Sequence, residues 1–223
     1  MQQLTYGEAL KLVGGLSKPD KMPWWSWSIS AQGCVTGSKL VDVEGSTCSG
    51  CYALKGFYRM NNVRDAMARR EAALADSRFV DAFVTVLNEL HANTRKTYKA
   101  RNGRVVRENR FRWFDSGDLR SVEHLQQIAA IARRTPKIKH WLPTREYGFV
   151  REFLKRGGKI PRNLVIRMSA TMVGERPKKQ PFGLPFSGVD LAGVWQCPAK
   201  SQNGRCLDCS FCWSAGNVSY YKH

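Results

Sequence analysis

The sequence has no long apolar run and no leader-like beginning. No stretch of about 18 or more apolar residues occurs, which is the length that marks a candidate transmembrane helix. Residues 1–16 also lack a basic segment followed by an apolar one, the pattern of a secretory signal peptide. These absences predict a soluble protein that is neither inserted in a membrane nor exported, and that works in the cytoplasm.

Motifs of several enzyme classes are missing as well. The chain contains no glycine-rich loop that would cradle a phosphate and no Ser-His-Asp set of the hydrolase kind. It has no internal repeat and no low-complexity tract, which leaves one compact domain or a domain with a small appendage.

Acidic residues are few relative to basic ones. The chain has 18 Asp and Glu against 36 Lys and Arg, which gives a formal net charge of +18 at pH 7. Such an excess favours nucleic acid as a partner, because phosphate contacts release condensed counterions. The densest basic run is 95–104, and its side chains either contact phosphate or form a solvated face. No recognisable nucleic-acid-binding module accompanies the charge.

The seven cysteines fall into two groups, and none is left over. The first group is Cys34, Cys48 and Cys51. The second group is Cys197, Cys206, Cys209 and Cys212. In a reducing compartment, clustered cysteines are more often metal ligands than disulfides, and an odd number would leave one thiol unpaired. We therefore predict that both groups bind metal.

The spacing within the first group favours an iron–sulfur cluster. A Cys-x-x-Cys pair such as Cys48 and Cys51 reaches two irons of one cluster, and Gly50 allows close backbone approach. Three thiolates on a cubane leave one iron open, whereas zinc would need a fourth ligand, which the histidines do not supply nearby. The four thiols of the second group suit either a second [4Fe-4S] cluster or tetrahedral zinc. A single site with ligands from both groups is the remaining alternative.

Hydrophobic periodicity predicts strands that alternate with helices, and therefore βα units with a parallel sheet. The predicted strands are 25–29, 110–115, 140–145, 163–169 and 189–194. The predicted helices are 5–13, 52–60, 63–74, 76–90, 122–134 and 147–155. Residues 35–47 are predicted to form a loop with a brief hairpin around 40–43.

Polar residues stand where two of these strands end. Asp115 and Asp118 follow one strand, and they suit an acid–base pair or a metal site because the carboxyl edge of a parallel sheet hosts chemistry. The alternative is that Asp118 only caps the next helix. Arg145 and Arg167 lie at corresponding strand ends, where each is a candidate to bind a carboxylate or phosphate.

The order of these motifs resembles phage-associated proteins similar to the radical S-adenosylmethionine superfamily, and most of all the phage gene product 88 group. The resemblance covers residues 25–169 and the terminal cysteines. It is carried by Gly33-Cys34, by Cys48-Ser49-Gly50-Cys51-Tyr52-Ala53, by Ser116-Gly117-Asp118-Leu119 and by Trp141-Leu142-Pro143-Thr144-Arg145. It implies an α/β fold in which residues 1–170 form a partial (β/α) barrel of radical-SAM type. Residues 171–223 would be an irregular, cysteine-rich C-terminal extension packed on it.

The resemblance also implies roles for individual residues. Cys34, Cys48 and Cys51 would hold a [4Fe-4S] cluster whose open iron binds S-adenosylmethionine. The methionyl amino group would be held at the place of Ser116, Gly117 and Asp118, and Tyr52 would lie against the adenine. Asp118 and Arg145 are the candidate catalytic residues.

Two functions follow from the sequence. One is a radical-SAM-like enzyme that cleaves S-adenosylmethionine to modify a substrate. The alternative is a non-catalytic or redox-sensing iron–sulfur or zinc protein that binds nucleic acid or a host protein through its basic face. A phage origin would place either protein in the host cytoplasm.

Overall fold

The computed structural model describes residues 4–100, 102–177 and 181–222, so Arg101 of the predicted basic run lies outside the described residues. The α-helices in these ranges are α1 (Tyr6–Leu12), α2 (Val35–Leu40), α3 (Asn61–Ala73), α4 (Phe79–Asn93), α5 (Val122–Arg134) and α6 (Tyr147–Lys155). The strands are β1 (Ser26–Trp27), β2 (Thr97–Lys99), β3 (Val105–Arg107), β4 (Arg110–Trp113), β5 (Lys139–Thr144), β6 (Leu164–Ser169), β7 (Phe186–Val189), β8 (Trp195–Gln196) and β9 (Val218–Tyr220). Among the described helices, none is long and apolar enough to cross a membrane.

Seven of these strands form one parallel sheet, in the order β1-β4-β5-β6-β7-β9-β8. Strands β2 and β3 form a separate antiparallel hairpin. The fold is therefore mixed α/β, with helices flanking a parallel sheet, and this part of the prediction is confirmed. The chain after Ala170 supplies three of the seven strands, so it belongs to the sheet.

The long periodic elements agree with the sequence prediction, whereas several short ones do not. Helices α5 and α6 have the predicted bounds. The predicted strand at 189–194 is wrong, because Asp190 and Gly193 have positive φ angles of 53° and 67° that interrupt an extended backbone. Residues 52–60 form two short 3-10 helices instead of one α-helix.

The hairpin predicted around 40–43 is also wrong, because helix α2 occupies residues 35–40. The backbone N–H and the hydroxyl of Thr36 donate to the two carboxylate oxygens of Glu146, at 2.8 and 2.7 Å. Glu146 directly follows β5 and is buried. The helix is thus held by a contact from far along the chain, which local sequence patterns do not reveal.

One face of the sheet is apolar and carries the main core. Residues paired in register lie on the same face, and faces alternate along each strand. The apolar face includes Trp27, Phe111, Trp113, Leu142, Ile166 and Met168. Helix α4 covers part of it: the Phe83 ring lies 4.8 Å from the Trp113 ring, and Trp27 contacts Phe79 at 5.6 Å. Trp27 and the apolar side chains of α4 are thus part of the main core.

The opposite face is polar and is covered by the C-terminal cysteine segment. It carries Arg110, Arg112, Trp141, Arg167 and Tyr220. Arg167 is fully buried, and its guanidinium donates to the carbonyl oxygens of Phe186, Cys212, Ser214 and Gly216. Backbone carbonyl groups between residues 186 and 216 therefore accept hydrogen bonds from a charged side chain that is buried against the sheet.

A neutral histidine is built into the apolar face. Trp113 Nε1 donates to His140 Nδ1 at 3.2 Å, so Nδ1 must carry no proton. His140 Nε2 lies 2.9 Å from Thr135 Oγ1, which itself donates to Ile131 O. Burial lowers the pKa of His140 to about 3, because the charged ring would lose its hydration.

This arrangement predicts a pH dependence of stability. The unfolded chain protonates His140 below about pH 6.5, whereas the folded chain does not until about pH 3, so stability is lost as the pH falls through this window. At pH 5 the loss from this histidine is about 2 kcal/mol. The side-chain oxygen introduced by His140→Asn can still accept from Trp113. In this variant the free energy of unfolding in urea should depend less steeply on pH between pH 5 and 6, because about one proton fewer is taken up on unfolding. An unchanged slope would contradict the assignment.

Candidate metal centre

The first cysteine group lies at the carboxyl edge of the parallel sheet. Cys34 follows β1 through a 3-10 helix and provides the first backbone carbonyl of α2, which accepts from Ser38 N. The loop before Cys48 is bound to the end of β6, because Thr47 N donates to Thr171 O at 2.8 Å and Ser46 pairs with Met172. The chain between the two cysteines therefore crosses from β1 to β6 over the ends of the strands between them.

Gly37 packs closely against two of these thiols. A Cβ atom at this position of helix α2 would lie 2.9 Å from Cys34 Cβ, 3.8 Å from Cys34 Sγ and 3.7 Å from Cys48 Sγ. Any larger residue would displace Cys34 and would contact both sulfurs. Cys51 is close by, since it raises the pKa of Cys48 and its backbone N–H donates to Cys48 O.

Cys48 is buried and Cys34 is partly buried, and charges of both signs lie around them. The pKa of Cys34 is raised to about 12, first by burial and then by Asp118, and Arg120 opposes the shift. Burial likewise raises the pKa of Cys48, and Arg145 opposes that shift. Both thiols therefore stay protonated at neutral pH until a cation replaces the proton, and metal binding here would release protons.

The Asp118 carboxylate joins the ends of β4 and β5. It accepts hydrogen bonds from Thr144 Oγ1 at 2.6 Å, Arg145 N at 2.8 Å and Leu119 N at 2.8 Å. Burial raises its pKa to about 6, although these hydrogen bonds oppose the shift. The side chain that caps α5 is Ser121, which accepts from His124 N. Asp118 is thus a buried carboxylate beside Cys34 and Cys48, and it does not cap α5.

The other residues predicted to hold a cofactor lie along the same edge. Ser116 Oγ donates to Ile29 O at 3.1 Å. Gly117 has a φ of 79°, and a Cβ there would lie 2.5 Å from Ile29 O, so only glycine fits against the end of β1. The Tyr52 hydroxyl donates to Asp115 O, and its ring packs edge-on against Tyr58.

Arg145 and Arg167 have different positions, although both were predicted to bind anions. Arg145 lies beside Cys48, and its Nε donates to Thr47 Oγ1 at 2.9 Å. Arg167 lies under the C-terminal segment and donates to carbonyl oxygens, so its guanidinium is not available to a ligand at the carboxyl edge. The Asp115 carboxylate is also engaged, since it accepts from Ser26, Ser28 and Tyr58.

The second cysteine group comes together on the polar face of the sheet. Cys197 and Cys209 both raise the pKa of Cys206, and Cys206 and Cys197 raise that of Cys212, although burial is the largest cause in each case. Arg110 donates to the carbonyl oxygens of Asp208 and Cys209. The four thiols therefore lie within electrostatic range of their group, and the residues around them differ from those around the first group.

Two buried donors lie beside this group without a partner in the described part of the chain. They are Trp141 Nε1 and Arg167 Nε. Trp141 packs with Cys212 and Trp213, and Arg167 donates to Cys212 O. Unpartnered buried donors are costly, and sulfur atoms of a metal centre would accept from them. The second group thus fits a metal-bound sulfur site.

Within the described residues, no three His, Cys, Asp or Glu side chains are close enough together to hold one metal ion between them. A single zinc ion needs its thiolates at about 2.3 Å from one point. A cubane cluster spaces its thiolates more widely, because each binds a different iron. The thiols of the first group therefore do not have the spacing of a single-ion site in the described residues.

Sequence reasoning missed several residues that shape the first site. Gly37, Arg120 and Glu146 stand next to the thiols or hold the helix that carries them. The sequence gives one weak signal for Gly37, a glycine three residues after a cysteine. Nothing local to Arg120 or Glu146 indicates their role.

Comparison with known proteins gives one match. A family model described as gene product 88 matches residues 6–181, about four fifths of the chain. The matched range includes the first cysteine group and ends before the second. No curated protein and no solved structure matches the chain.

Replacing Gly37 tests the space between the thiols. Gly37→Ala should lower iron and sulfide incorporation severalfold, because the added methyl enters the site. Alanine is favoured over glycine within a helix by about 1 kcal/mol, so any loss of stability must come from that contact. Gly148→Ala in helix α6 is the matched control, since a Cβ there meets nothing within 4 Å. Equal incorporation in both variants would contradict the assignment.

Replacing Arg167 tests how the second group is held. Arg167→Lys cannot donate to all four carbonyl groups, so the free energy of unfolding in urea should fall by about 2 kcal/mol or more. The C-terminal thiols should also react faster with a thiol reagent. Arg162→Lys, at an exposed position near the start of the same strand, should change neither measurement. Similar values for the two variants would refute the role of Arg167.

Proposed function

We propose that this chain, which belongs to the gene product 88 family of phage-type proteins, binds a [4Fe-4S] cluster through Cys34, Cys48 and Cys51. One observation carries the proposal: the Cys34 and Cys48 sulfurs both lie close to Gly37, on the carboxyl edge of a parallel sheet, with Cys51 beside them. That edge is where parallel α/β folds place their chemistry.

The two arginines beside the thiols support a negatively charged group at this position, against the opposing charge of Asp118. Thiolates and cluster together carry net negative charge, and Arg120 and Arg145 lie beside Cys34 and Cys48 respectively. Arg120 is itself held in place, since it pairs with Glu71 at 2.5 Å and donates to Ser30 O. The two cations would stabilise the thiolate forms against the cost of burial.

The first candidate activity is that of a radical-SAM-like enzyme. Three thiolates leave one iron free for a small ligand, and when bound the cluster supplies the electron that cleaves S-adenosylmethionine. The strand order supports a partial barrel, because β1, β4, β5, β6 and β7 follow one another across the sheet without the reversal of doubly wound folds. In this proposal the cofactor site is shaped by Tyr52, Ser116 and Gly117. The ligand is positioned by Asp118 and Arg145.

The second candidate is a non-catalytic or redox-sensing iron–sulfur protein. It is favoured by the hydrogen bonds already made at the predicted cofactor site. Asp118 accepts three of them, and the Ser116 hydroxyl donates to Ile29 O. A methionyl amino group would have to compete with Thr144 and the Arg145 backbone for the carboxylate. A cluster that only holds the carboxyl edge together requires no such exchange.

The second cysteine group would take either a further [4Fe-4S] cluster or zinc in both cases. Its ligands would be Cys197, Cys206, Cys209 and Cys212, which fill a coordination shell and leave no open position. A structural or electron-relaying role fits a closed shell. Thiolate ligation of either metal also fits a reducing compartment such as the host cytoplasm.

Metal analysis of anaerobically purified protein tests the cluster. Cys34→Ala with Cys48→Ala and Cys51→Ala should remove about four iron and four sulfide per chain relative to the parent protein. Cys206→Ala with Cys209→Ala should leave that amount in place and remove only the metal of the second group. A parent protein that holds zinc alone, without sulfide, would contradict the proposal.

Adding S-adenosylmethionine to the reduced protein separates the two candidate activities. An enzyme should show an altered EPR signal of the cluster and should form 5′-deoxyadenosine and methionine. Asp118→Asn should then weaken S-adenosylmethionine binding while the iron content stays the same. An unaltered EPR signal with no 5′-deoxyadenosine would assign the non-catalytic function.

A further inference from the structure

The hairpin of β2 and β3 carries a dense set of exposed cations. In its register Thr97 pairs with Arg107, Tyr98 with Val106 and Lys99 with Val105. Tyr98 is buried, and Val105 is 71% exposed. The outward face thus presents Lys99, Val105 and Arg107. Arg95, Lys96 and Arg104, at the ends of the two strands, are exposed as well.

None of these cations has a carboxylate partner in the described ranges. The ion pairs there involve Arg78, Arg110, Arg120, Arg134 and Arg156. Glu108, the acidic residue that follows the hairpin, is buried and pairs with Arg110. Arg107 donates to His91 O and Ala92 O, which attaches the hairpin to the end of α4. The hairpin is therefore an anchored ribbon with uncompensated positive charge.

A cationic cleft adjoins the hairpin. The cleft has a volume of about 290 Å³, and its lining includes Lys137, Lys139 and Arg162 but no acidic residue of the described chain. Asn109 connects the two features, because it accepts from the Tyr98 hydroxyl at 3.1 Å and also lines the cleft. Arg107 and Lys137 both lie close enough to His91 to lower its pKa, although burial lowers it more.

This surface lies at the amino edge of the sheet, where β4, β5 and β6 begin, and the cysteines of the first group lie at the carboxyl edge. We infer that the hairpin and the cleft together form a docking site for duplex DNA. The hairpin would enter the major groove, and the cations of the cleft would contact the phosphate backbone. The inference does not depend on any metal in the protein.

Three features favour duplex DNA over other polyanions. The major groove of B-form DNA admits a two-stranded antiparallel ribbon, whereas the major groove of A-form RNA is too deep and narrow. Proteins that bind single strands stack bases on exposed aromatic rings, and the ring of the hairpin, Tyr98, is buried against Arg110 at 3.8 Å. The exposed Val105 suits apolar contact with a thymine methyl group.

Fluorescence anisotropy with a labelled duplex of about 20 base pairs tests the inference at about 0.1 M salt. Lys99→Gln with Arg104→Gln should weaken binding about tenfold or more. The slope of log K against log salt concentration should become shallower by about 2, because two phosphate contacts are lost. Lys137→Gln with Arg162→Gln, which alters the cleft alone, should weaken binding similarly.

Arg151→Gln with Lys155→Gln is the matched control, since it removes the same charge from exposed positions on α6 and should bind within about twofold of the parent. Equal weakening in the control and the hairpin variant would overturn the inference, because net charge alone would explain it. The inference would also be overturned if the parent failed to bind the duplex or bound a single strand as tightly. Displacement of the duplex by polyglutamate at the same concentration of charge would overturn it as well.

Discussion

The structure depends on the burial of two arginine side chains between the sheet and the chain that follows it. Arg110 and Arg167 extend from the polar face, and each would be unstable there without acceptors. Glu108 and the carbonyls of Asp208 and Cys209 accept from Arg110, while the carbonyls of Phe186, Cys212, Ser214 and Gly216 accept from the two terminal nitrogens of Arg167. The tail therefore cannot be an independent appendage: without it, the charged face of the sheet would open to water and lose these partners. The same carbonyls position the loop that carries the second cysteine group.

The carboxyl edge is organised by carboxylates in a comparable way. Asp118 joins β4 to β5, and Glu146 joins β5 to the helix that follows Cys34. Both carboxylates are buried, so each accepts hydrogen bonds that the strand ends and α2 would otherwise leave unmade. The apolar core lies on the helical side of the sheet, and the polar network lies where the thiols gather. The fold thus separates the residues that stabilise it by packing from those that hold charged groups in place.

Elements with local signals were predictable from the sequence, and elements held by distant contacts were not. Helices α5 and α6 have clear apolar periodicity and a serine cap or glycine stop, so their bounds follow from local pattern. Helix α2 is rich in small polar residues and depends on Glu146, which lies 110 residues away. Strands β8 and β9 are two and three residues long and exist through parallel pairing with neighbours. The grouping of the cysteines along the chain is a local property of the sequence, whereas the contact of Gly37 with two of the thiols depends on which way the helix faces.

The long gap between Cys34 and Cys48 has a structural explanation. Here thirteen residues intervene, and they form α2 together with a strand-like segment that pairs with residues 171–173. The thiols are therefore presented from two anchor points, the end of β1 and the end of β6. A group bound between such anchors would cross-link the sheet across four strands, so its binding free energy would add directly to the stability of the fold. A metal bound here would couple its own binding to folding more tightly than ligands contained in a single loop would.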